Sequence, residues 1–139
     1  MSPKTILIVD DDRNVRQSMA LVLRRADYHV DTAGSAADAL ANLDASQYDL
    51  TIVDMMMPDD GSIFLPRLLA AYPCLSILVL TAQINPETPL ETIHEGKHAR
   101  LVKPVTPESL LERVKWILKD SPCSSGGESY QQLPKKLLL

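Results

Sequence analysis

The feature that most constrains this chain is a set of short, mostly apolar runs, most of which are followed by a polar residue. The central run is residues 50–53, which is mostly β-branched and stops at a single carboxylate, Asp54. An uninterrupted run of this kind is typical of a strand buried on both faces. Met57 and Pro58 then turn the chain away. Asp54 is therefore a candidate nucleophile or metal ligand at a strand end, or alternatively a residue that only caps the following turn.

The same pattern recurs along the chain, and helical spacing of apolar residues separates one run from the next. The other predicted strands are residues 4–9, 28–33, 75–80 and 99–102. The predicted helices begin near residue 13, after the cap residue 35, near residue 62, at residue 89 and at residue 107. Strands joined by single helices require right-handed crossovers and a mainly parallel sheet. We therefore predict an α/β fold, a doubly wound five-stranded parallel sheet with five helices.

Composition excludes several classes of protein. A chain of 139 residues with 45% apolar residues has room for one domain with a full core. A net charge near −4 argues against direct nucleic-acid binding, which needs clustered basic residues. The two cysteines lack metal-type spacing, and there is no signal peptide or membrane-spanning apolar run. We expect a cytoplasmic protein with reduced thiols and no stable membrane insertion.

Polar side chains follow four of the predicted strands at the point where each strand ends. Because the carboxyl ends of parallel strands meet at one edge of a sheet, we expect these side chains to converge in one crevice. Three carboxylates, one hydroxyl and one ammonium group at matching strand ends favour a functional site over five unrelated caps. The residues are Asp10, Asp11, Asp54, Thr81 and Lys103.

Four sequence blocks resemble the signature blocks of response-regulator receiver domains from two-component signalling. They are residues 6–12, 54–58, 80–82 and 101–104, which read ILIVDDD, DMMMP, LTA and LVKP. The resemblance covers about residues 4–119 and implies a flavodoxin-like, receiver-type fold. It also implies that Asp54 accepts a phosphoryl group from a histidine kinase or phosphotransfer protein, and that Asp10 and Asp11 hold magnesium. Asp12 is interpreted as a helix cap, and the chain as a phosphorelay component that is not an enzyme acting on other molecules.

The residue types also fit this chemistry. Three adjacent carboxylates repel one another unless one holds a proton or a cation joins them, and oxygen ligands favour Mg²⁺, with Mn²⁺ as an alternative. We assign Asp11, Asp54 and the backbone carbonyl of Met56 as direct ligands and Asp10 as a ligand through water. The resemblance further implies that Met56 and Gln83 tune water access and hence the lifetime of the acyl phosphate.

A change of the output surface is expected to follow phosphorylation. Lys103 can bridge the phosphoryl group, and Thr81 can donate a hydrogen bond to it once it arrives. Movement of Thr81 would then change the surface formed by the predicted fourth helix, the fifth strand and the last helix. Arg100 stands where the family has an aromatic switch residue. Either Arg100 makes the output surface charged, or it is a solvent-facing strand residue.

By composition, residues 121–139 are a linker-like tail with an amphipathic end. Together with the resemblance, this leads us to expect a receiver domain over residues 1–120 and no effector domain in the tail. The tail fits a stand-alone regulator, a receiver from a longer transcription factor or enzyme, or a segment that docks on a domain. A downstream protein or a second copy is the expected partner of the output surface. The alternative function is a constitutive interaction module that contacts a partner through Arg100 and the last helix without using phosphorylation.

Overall fold

The computed structural model describes residues 3–55, 61–81 and 98–119. Within these ranges the chain forms five strands and four helices. The strands are β1 (Thr5–Val9), β2 (His29–Ala33), β3 (Leu50–Asp54), β4 (Ser76–Thr81) and β5 (His98–Val102). The helices are α1 (Arg13–Arg25), α2 (Ala36–Ala45), α3 (Gly61–Ala71) and α4 (Pro107–Lys119). The helix predicted from residue 89 to about residue 95 lies outside the described residues.

All the strand pairings described are parallel, and the strand order is β2-β1-β3-β4-β5. In the centre of the sheet, Ile6 of β1 lies between Val30 of β2 and Leu50 of β3. This order makes β1 and β3 neighbours, although a helix, a strand and a second helix separate them in sequence. The predicted fold class is confirmed, and the two acid-bearing strands are adjacent.

Two apolar clusters cover the two faces of the sheet. One face packs against α1 and α4 through Met19, Leu23, Leu110 and Val114. The other face packs against α2 and α3, with Phe64 among its largest fully buried side chains. Burial on both faces explains why β1, β3 and β4 are apolar at most positions rather than alternating between polar and apolar residues. The polar residues at the strand ends lie at the carboxyl edge of the sheet, outside these two apolar clusters.

Helix α1 is fixed at both ends by local interactions. At its start, Asp12 Oδ1 accepts the backbone N–H groups of Asn14 at 2.9 Å and Val15 at 3.2 Å. The prediction that Asp12 is a helix cap is therefore confirmed. At its end, Asp27 has a φ of 74°, in the left-handed region that glycine adopts most easily. The backbone N–H groups of Asp27 and Tyr28 bond to carbonyls of the last helical turn.

Two further observations concern the expectations about location. Cys74 is disulfide-bonded, so the expectation of reduced thiols is wrong for this residue. Cys74 lies in the exposed turn before β4, where another thiol can reach it. The spacing of the cysteines in the sequence did not indicate a disulfide. Within the described part of the chain, each helix is too short or too polar to cross a lipid bilayer.

Candidate functional site

The predicted site residues lie at the carboxyl edge of the sheet. Asp10 directly follows β1, Asp54 is the last residue of β3, Thr81 is the last residue of β4, and Lys103 follows β5. Pairing of β3 with β4 sets Asp54 opposite Leu80, one residue before Thr81. The backbone N–H of Lys103 donates to the carbonyl of Thr81 at 2.8 Å, which joins the ends of β4 and β5.

The acidic residues form one compact cluster. One carboxylate oxygen from each of Asp10, Asp11 and Asp54 lies within 4.8 Å of the others. Asp10 and Asp54 are 1% and 3% exposed, whereas Asp11 is exposed. Two buried carboxylates at this separation repel each other strongly unless a positive charge or a proton intervenes. The cluster therefore has the composition and spacing of a cation site that opens to solvent on the side of Asp11.

Asp10 is held by its backbone and by one of its two carboxylate oxygens. Its N–H donates to the carbonyl of Ala33 at 3.1 Å, and its Oδ1 accepts the N–H of Asp12 at 2.9 Å. Within residues 3–55, 61–81 and 98–119, its buried Oδ2 has no hydrogen-bond partner. A buried carboxylate oxygen without a donor is costly. A divalent cation at this position would satisfy it, so the residues present fit a metal ion.

Burial raises the pKa of Asp10 from its ordinary value of 3.8 to about 6. Desolvation is the largest cause, and the negative charges of Asp54 and Asp11 act in the same direction. The N–H of Asp12 and the ammonium group of Lys103 oppose the increase, because both favour the carboxylate form. The cluster thus holds more negative charge than its surroundings neutralise.

Lys103 supplies a positive charge to the site. Its Nζ lies 3.2 Å from Oδ2 of Asp54, and its side chain is 31% exposed while that of Asp54 is 4% exposed. The peptide bond between Lys103 and Pro104 is cis. An ammonium group at this distance can pair with an anion at Asp54 as well as with the carboxylate itself.

The remaining predicted residues are distributed differently. Thr81 is buried at the end of β4. Arg100 is half-buried, and because Ala99 and Leu101 on either side of it pack with the cluster against α1 and α4, it lies on the opposite face of β5. Met56 and Gln83 lie outside the described residues, so the predicted carbonyl ligand and the predicted tuning positions stay predictions.

One residue of the site was not predicted from the sequence. The guanidinium of Arg16, on α1, donates from Nη1 to the backbone carbonyl of Asp10 at 2.9 Å. The sequence did contain an indication of this contact. A cation near a helix N-terminus interacts unfavourably with the helix dipole, so its presence there indicates another, stabilising interaction. Arg16 lies in the second turn of a helix that begins at Arg13 and directly follows the acids.

A groove beside the acids completes the edge. It has a volume of about 400 Å³ and lies between α1 and the loop that connects β5 to α4. Val15 on its rim is 36% exposed. The lining residues are Asn14, Val15, Ser18, Met19, Leu80, Lys103, Pro104 and Val105. Lys103 lines the groove and also contacts Asp54, so a molecule bound in the groove would lie beside Lys103.

The fold and the site define a class: a doubly wound α/β protein with an acidic cation-type pocket and a lysine at the carboxyl edge of its sheet. A family model described as the response regulator receiver domain matches residues 6–115. The chain belongs to the response regulator receiver domain family. Receiver domains are signalling modules of two-component systems rather than enzymes in the ordinary sense, and this description applies to the chain.

Curated relatives and solved structures agree with this assignment. The chain is 33% identical to the DNA-binding transcriptional regulator NtrC of Azospirillum brasilense, over 96% of this chain and 29% of that protein. It is 31% identical to the transcriptional regulatory protein ResD of Bacillus subtilis, over 82% of this chain and 48% of that protein. The chain therefore spans about half or less of the length of these two relatives.

Among solved structures, the chemotaxis protein CheY4 of Vibrio cholerae superposes with a TM-score of 0.76 at 34% identity, covering 84% of this chain and 99% of that one. A response regulator from Chloroflexus aurantiacus superposes with a TM-score of 0.74 at 37% identity, covering 85% of this chain and 99% of that one.

Proposed function

We propose that this chain is a phosphorylation-dependent signalling switch in which Asp54 accepts a phosphoryl group from a histidine kinase or a phosphotransfer protein. The observation that carries the proposal is the position of the Asp54 carboxylate, which lies with two other carboxylates on one side and the Lys103 ammonium group 3.2 Å away. Phosphoryl transfer asks for alignment and charge neutralisation more than for a strong base. This arrangement supplies both.

The transfer step balances as a simple displacement. A carboxylate oxygen of Asp54 forms a bond to phosphorus, and the bond between phosphorus and the donor's imidazole nitrogen breaks. The imidazole keeps the electron pair of that bond and takes up a proton, and the product is an acyl phosphate on Asp54. Hydrolysis by water later returns the carboxylate and inorganic phosphate, so the chain acts only on itself.

Mg²⁺ is the proposed cofactor, and Mn²⁺ is an alternative. Asp11, Asp54 and the Met56 backbone carbonyl would hold the ion directly, and Asp10 would hold it through water. When bound, the ion neutralises charge on the transferred phosphoryl group. The orphaned Oδ2 of Asp10 and the separation of the carboxylates support this choice, because both are explained by a divalent cation with oxygen ligands.

Lys103 and Thr81 have separate proposed roles. Lys103 would leave its contact with Asp54 to pair with a phosphoryl oxygen, since a phosphorylated Asp54 places more negative charge within its reach. The hydroxyl of Thr81 would donate a hydrogen bond to the same phosphoryl group. The loop that follows Thr81 would move together with it. The output surface, formed by the predicted fourth helix, β5 and α4, would change as a result. Arg100 on β5 would make that surface charged.

The groove beside Lys103 is the proposed contact for the phosphoryl donor. A donor imidazole must reach Asp54 from the solvent side, and the exposed rim at Val15 and Pro104 adjoins that approach. A downstream protein or a second copy would use the output surface instead. The proposed location is the cytoplasm.

The coverage of the curated relatives favours one variant of this function. Because the chain spans 29% of the NtrC relative and 48% of the ResD relative, we propose that it serves as the receiver portion of a longer transcriptional regulator. Residues 121–139 would then be the start of a linker. Direct nucleic-acid contact would belong to another part of such a protein, since this portion has a net charge of −4.

Intact-mass spectrometry after incubation with acetyl phosphate, with and without Mg²⁺, tests the proposal. The native chain should gain one phosphoryl group when Mg²⁺ is present, and Asp54→Asn should gain none. Asp38→Asn is the matched control, because it makes the same chemical change at an exposed position on α2. No gain by the folded native chain would overturn the switch and leave the constitutive interaction module as the function.

A further inference from the structure

We infer that Arg16 is a positioning residue that fixes Asp10 in the acidic cluster. The inference rests on the proposed function, because it assigns a role to Arg16 in building the cation site. Arg16 is half-buried, and its Nη1 lies 2.9 Å from the carbonyl oxygen of Asp10, six residues earlier in the chain. It holds the backbone of a residue whose carboxylate belongs to the acidic cluster.

The bond from Arg16 completes the constraints on Asp10. The N–H of Asp10 is bonded to Ala33 on β2, its Oδ1 is bonded to the N–H of Asp12, and its carbonyl is bonded to Arg16. Each of these contacts comes from a different direction and fixes a different polar group. The remaining oxygen, Oδ2, is the one without a partner in the described residues. The three contacts therefore hold the backbone and one oxygen and leave the other oxygen for a ligand.

Gly34 provides the space in which the guanidinium lies. A Cβ atom added to Gly34 would lie 3.1 Å from Nη1 of Arg16, which is closer than most Cβ contacts, and 3.5 Å from its Cζ, which is an ordinary contact. Residue 34 directly follows β2, whose Ala33 bonds to Asp10. The guanidinium thus lies between the β2 end and the Asp10 carbonyl, and a larger residue at position 34 would displace it.

Two simpler roles for Arg16 make different predictions. If Arg16 only offsets the negative charge of the acids, its removal would strengthen cation binding, because a positive neighbour repels a cation. If Arg16 only ties α1 to the sheet, its removal would lower stability and leave cation binding unchanged. A positioning role predicts that removal of Arg16 weakens cation binding. The charge-offset role predicts stronger binding, and the anchoring role predicts no change in binding.

The chain contains a matched control on the same helix. Arg24 donates from Nη2 to the backbone carbonyl of Val30 at 2.7 Å, again a contact between residues six apart. Arg24→Met removes the same charge and the same kind of hydrogen bond as Arg16→Met, at the end of α1 remote from the acids. A difference between the two variants therefore reports the place of Arg16 rather than a general loss of charge or helix anchoring.

Two measurements on the native chain, Arg16→Met, Arg16→Lys and Arg24→Met test the inference. The first is a Mg²⁺ titration followed by NMR amide shifts of residues 10–12. Arg16→Met should raise the Mg²⁺ dissociation constant about threefold to tenfold. This is no more than the smallest losses of metal affinity that usually follow mutation of residues supporting metal ligands, about tenfold. Arg16→Lys should recover part of that loss, and Arg24→Met should match the native chain.

The second measurement uses the metal-free proteins and so does not depend on cation binding. Solvent exchange of the Asp12 amide reports its hydrogen bond to Oδ1 of Asp10. The Asp12 amide should exchange with solvent several-fold faster in Arg16→Met than in Arg24→Met. If Arg16→Met does not fold, Gly34→Ala replaces it, since this variant keeps Arg16 but places a methyl group against Nη1. We then expect smaller increases in the Mg²⁺ dissociation constant and in the exchange rate of the Asp12 amide.

The outcomes separate the two proposals. Native Mg²⁺ affinity and native Asp12 exchange in Arg16→Met, or tighter Mg²⁺ binding, would overturn the positioning role. A native chain that binds no Mg²⁺ would overturn the proposed metal site instead, and the exchange of Asp12 would then decide alone whether Arg16 positions Asp10.

Discussion

The Nζ atom of Lys103 lies 3.2 Å from Oδ2 of Asp54, although the two residues are 49 positions apart. Asp54 ends β3, and Lys103 follows β5, with β4 between those two strands. The long side chain of Lys103 crosses the end of β4 to reach the carboxylate. One ammonium group therefore faces a cluster of three carboxylates in the described part of the chain, and this imbalance underlies the first two predictions.

Lys103→Met should destabilise the metal-free protein, because the buried carboxylate of Asp54 loses its cation while the apolar stem is largely retained. Since Lys103 is partly solvated, we expect a loss of about 1–2 kcal/mol in the free energy of unfolding, below the value for a fully buried pair. Chemical denaturation in the presence of a chelator measures this loss. Lys115→Met, an exposed position on α4, is the control, and equal stability of the two variants would contradict the prediction.

The stability of the metal-free protein should fall as pH rises through the pKa of Asp10. That pKa is about 6 in the folded chain and near 3.8 when unfolded, so the folded state binds the proton more tightly. The resulting stabilisation is fully present below about pH 3.8 and is lost by pH values above about 6. We expect a loss on the order of 2–3 kcal/mol relative to Asp10→Asn, which cannot titrate. Denaturation of both proteins between pH 4 and pH 7 measures the difference, and a constant difference would disprove the assignment.

Thr51→Val should stabilise the protein. Thr51 is 0% exposed in the middle of β3, and its Oγ1 has no hydrogen-bond partner within the described ranges. Valine has nearly the same shape and removes the buried hydroxyl, so we expect a gain of about 1 kcal/mol in the free energy of unfolding. Thermal and denaturant unfolding measure the gain. Thr32→Val on the half-buried edge strand β2 is the control and should have a smaller effect, whereas a destabilised Thr51→Val would indicate a partner for Oγ1.

Asp27→Gly should also stabilise the protein, for a reason that lies in the backbone. Asp27 has a φ of 74° at the end of α1, where glycine avoids the steric cost of a side chain. We expect a gain of about 0.5–1 kcal/mol, and Asp27→Ala should be less stable than Asp27→Gly. Denaturant midpoints of the three proteins provide the ranking. A glycine variant less stable than the native chain would contradict the prediction and show that the aspartate side chain favours this conformation.

The strands and the acid-bearing edge of the sheet were predictable because local sequence patterns indicate both. Residues 50–53 are apolar and mostly β-branched, and Asp54 interrupts them, so strand, burial and strand end are visible together. Boundaries moved slightly: the helix predicted from residue 62 begins at Gly61, and the second strand begins at His29 rather than residue 28. Such shifts are expected where the last hydrogen bonds of an element depend on its neighbours.

The contacts that distinguish one acid from another were not predictable in the same way. The orphaned Oδ2 of Asp10 and the bond from Arg16 depend on the distance between α1 and the end of β1, which tertiary packing fixes. The spacing of Arg16 from Asp10 in sequence does not reveal that distance. The disulfide at Cys74 was missed for a related reason, because two cysteines without a motif carry no signal of proximity.

The order of the strands along the chain has a consequence for synthesis. Domains fold from the N-terminus as the ribosome adds about 5–20 residues each second. The residues of the acidic cluster are complete once Asp54 is made, but Lys103 follows 49 residues later. For a few seconds at that rate, the nascent chain therefore carries these carboxylates without that lysine. The central strands β1 and β3 receive their last stabilising charge only when β5 has been made.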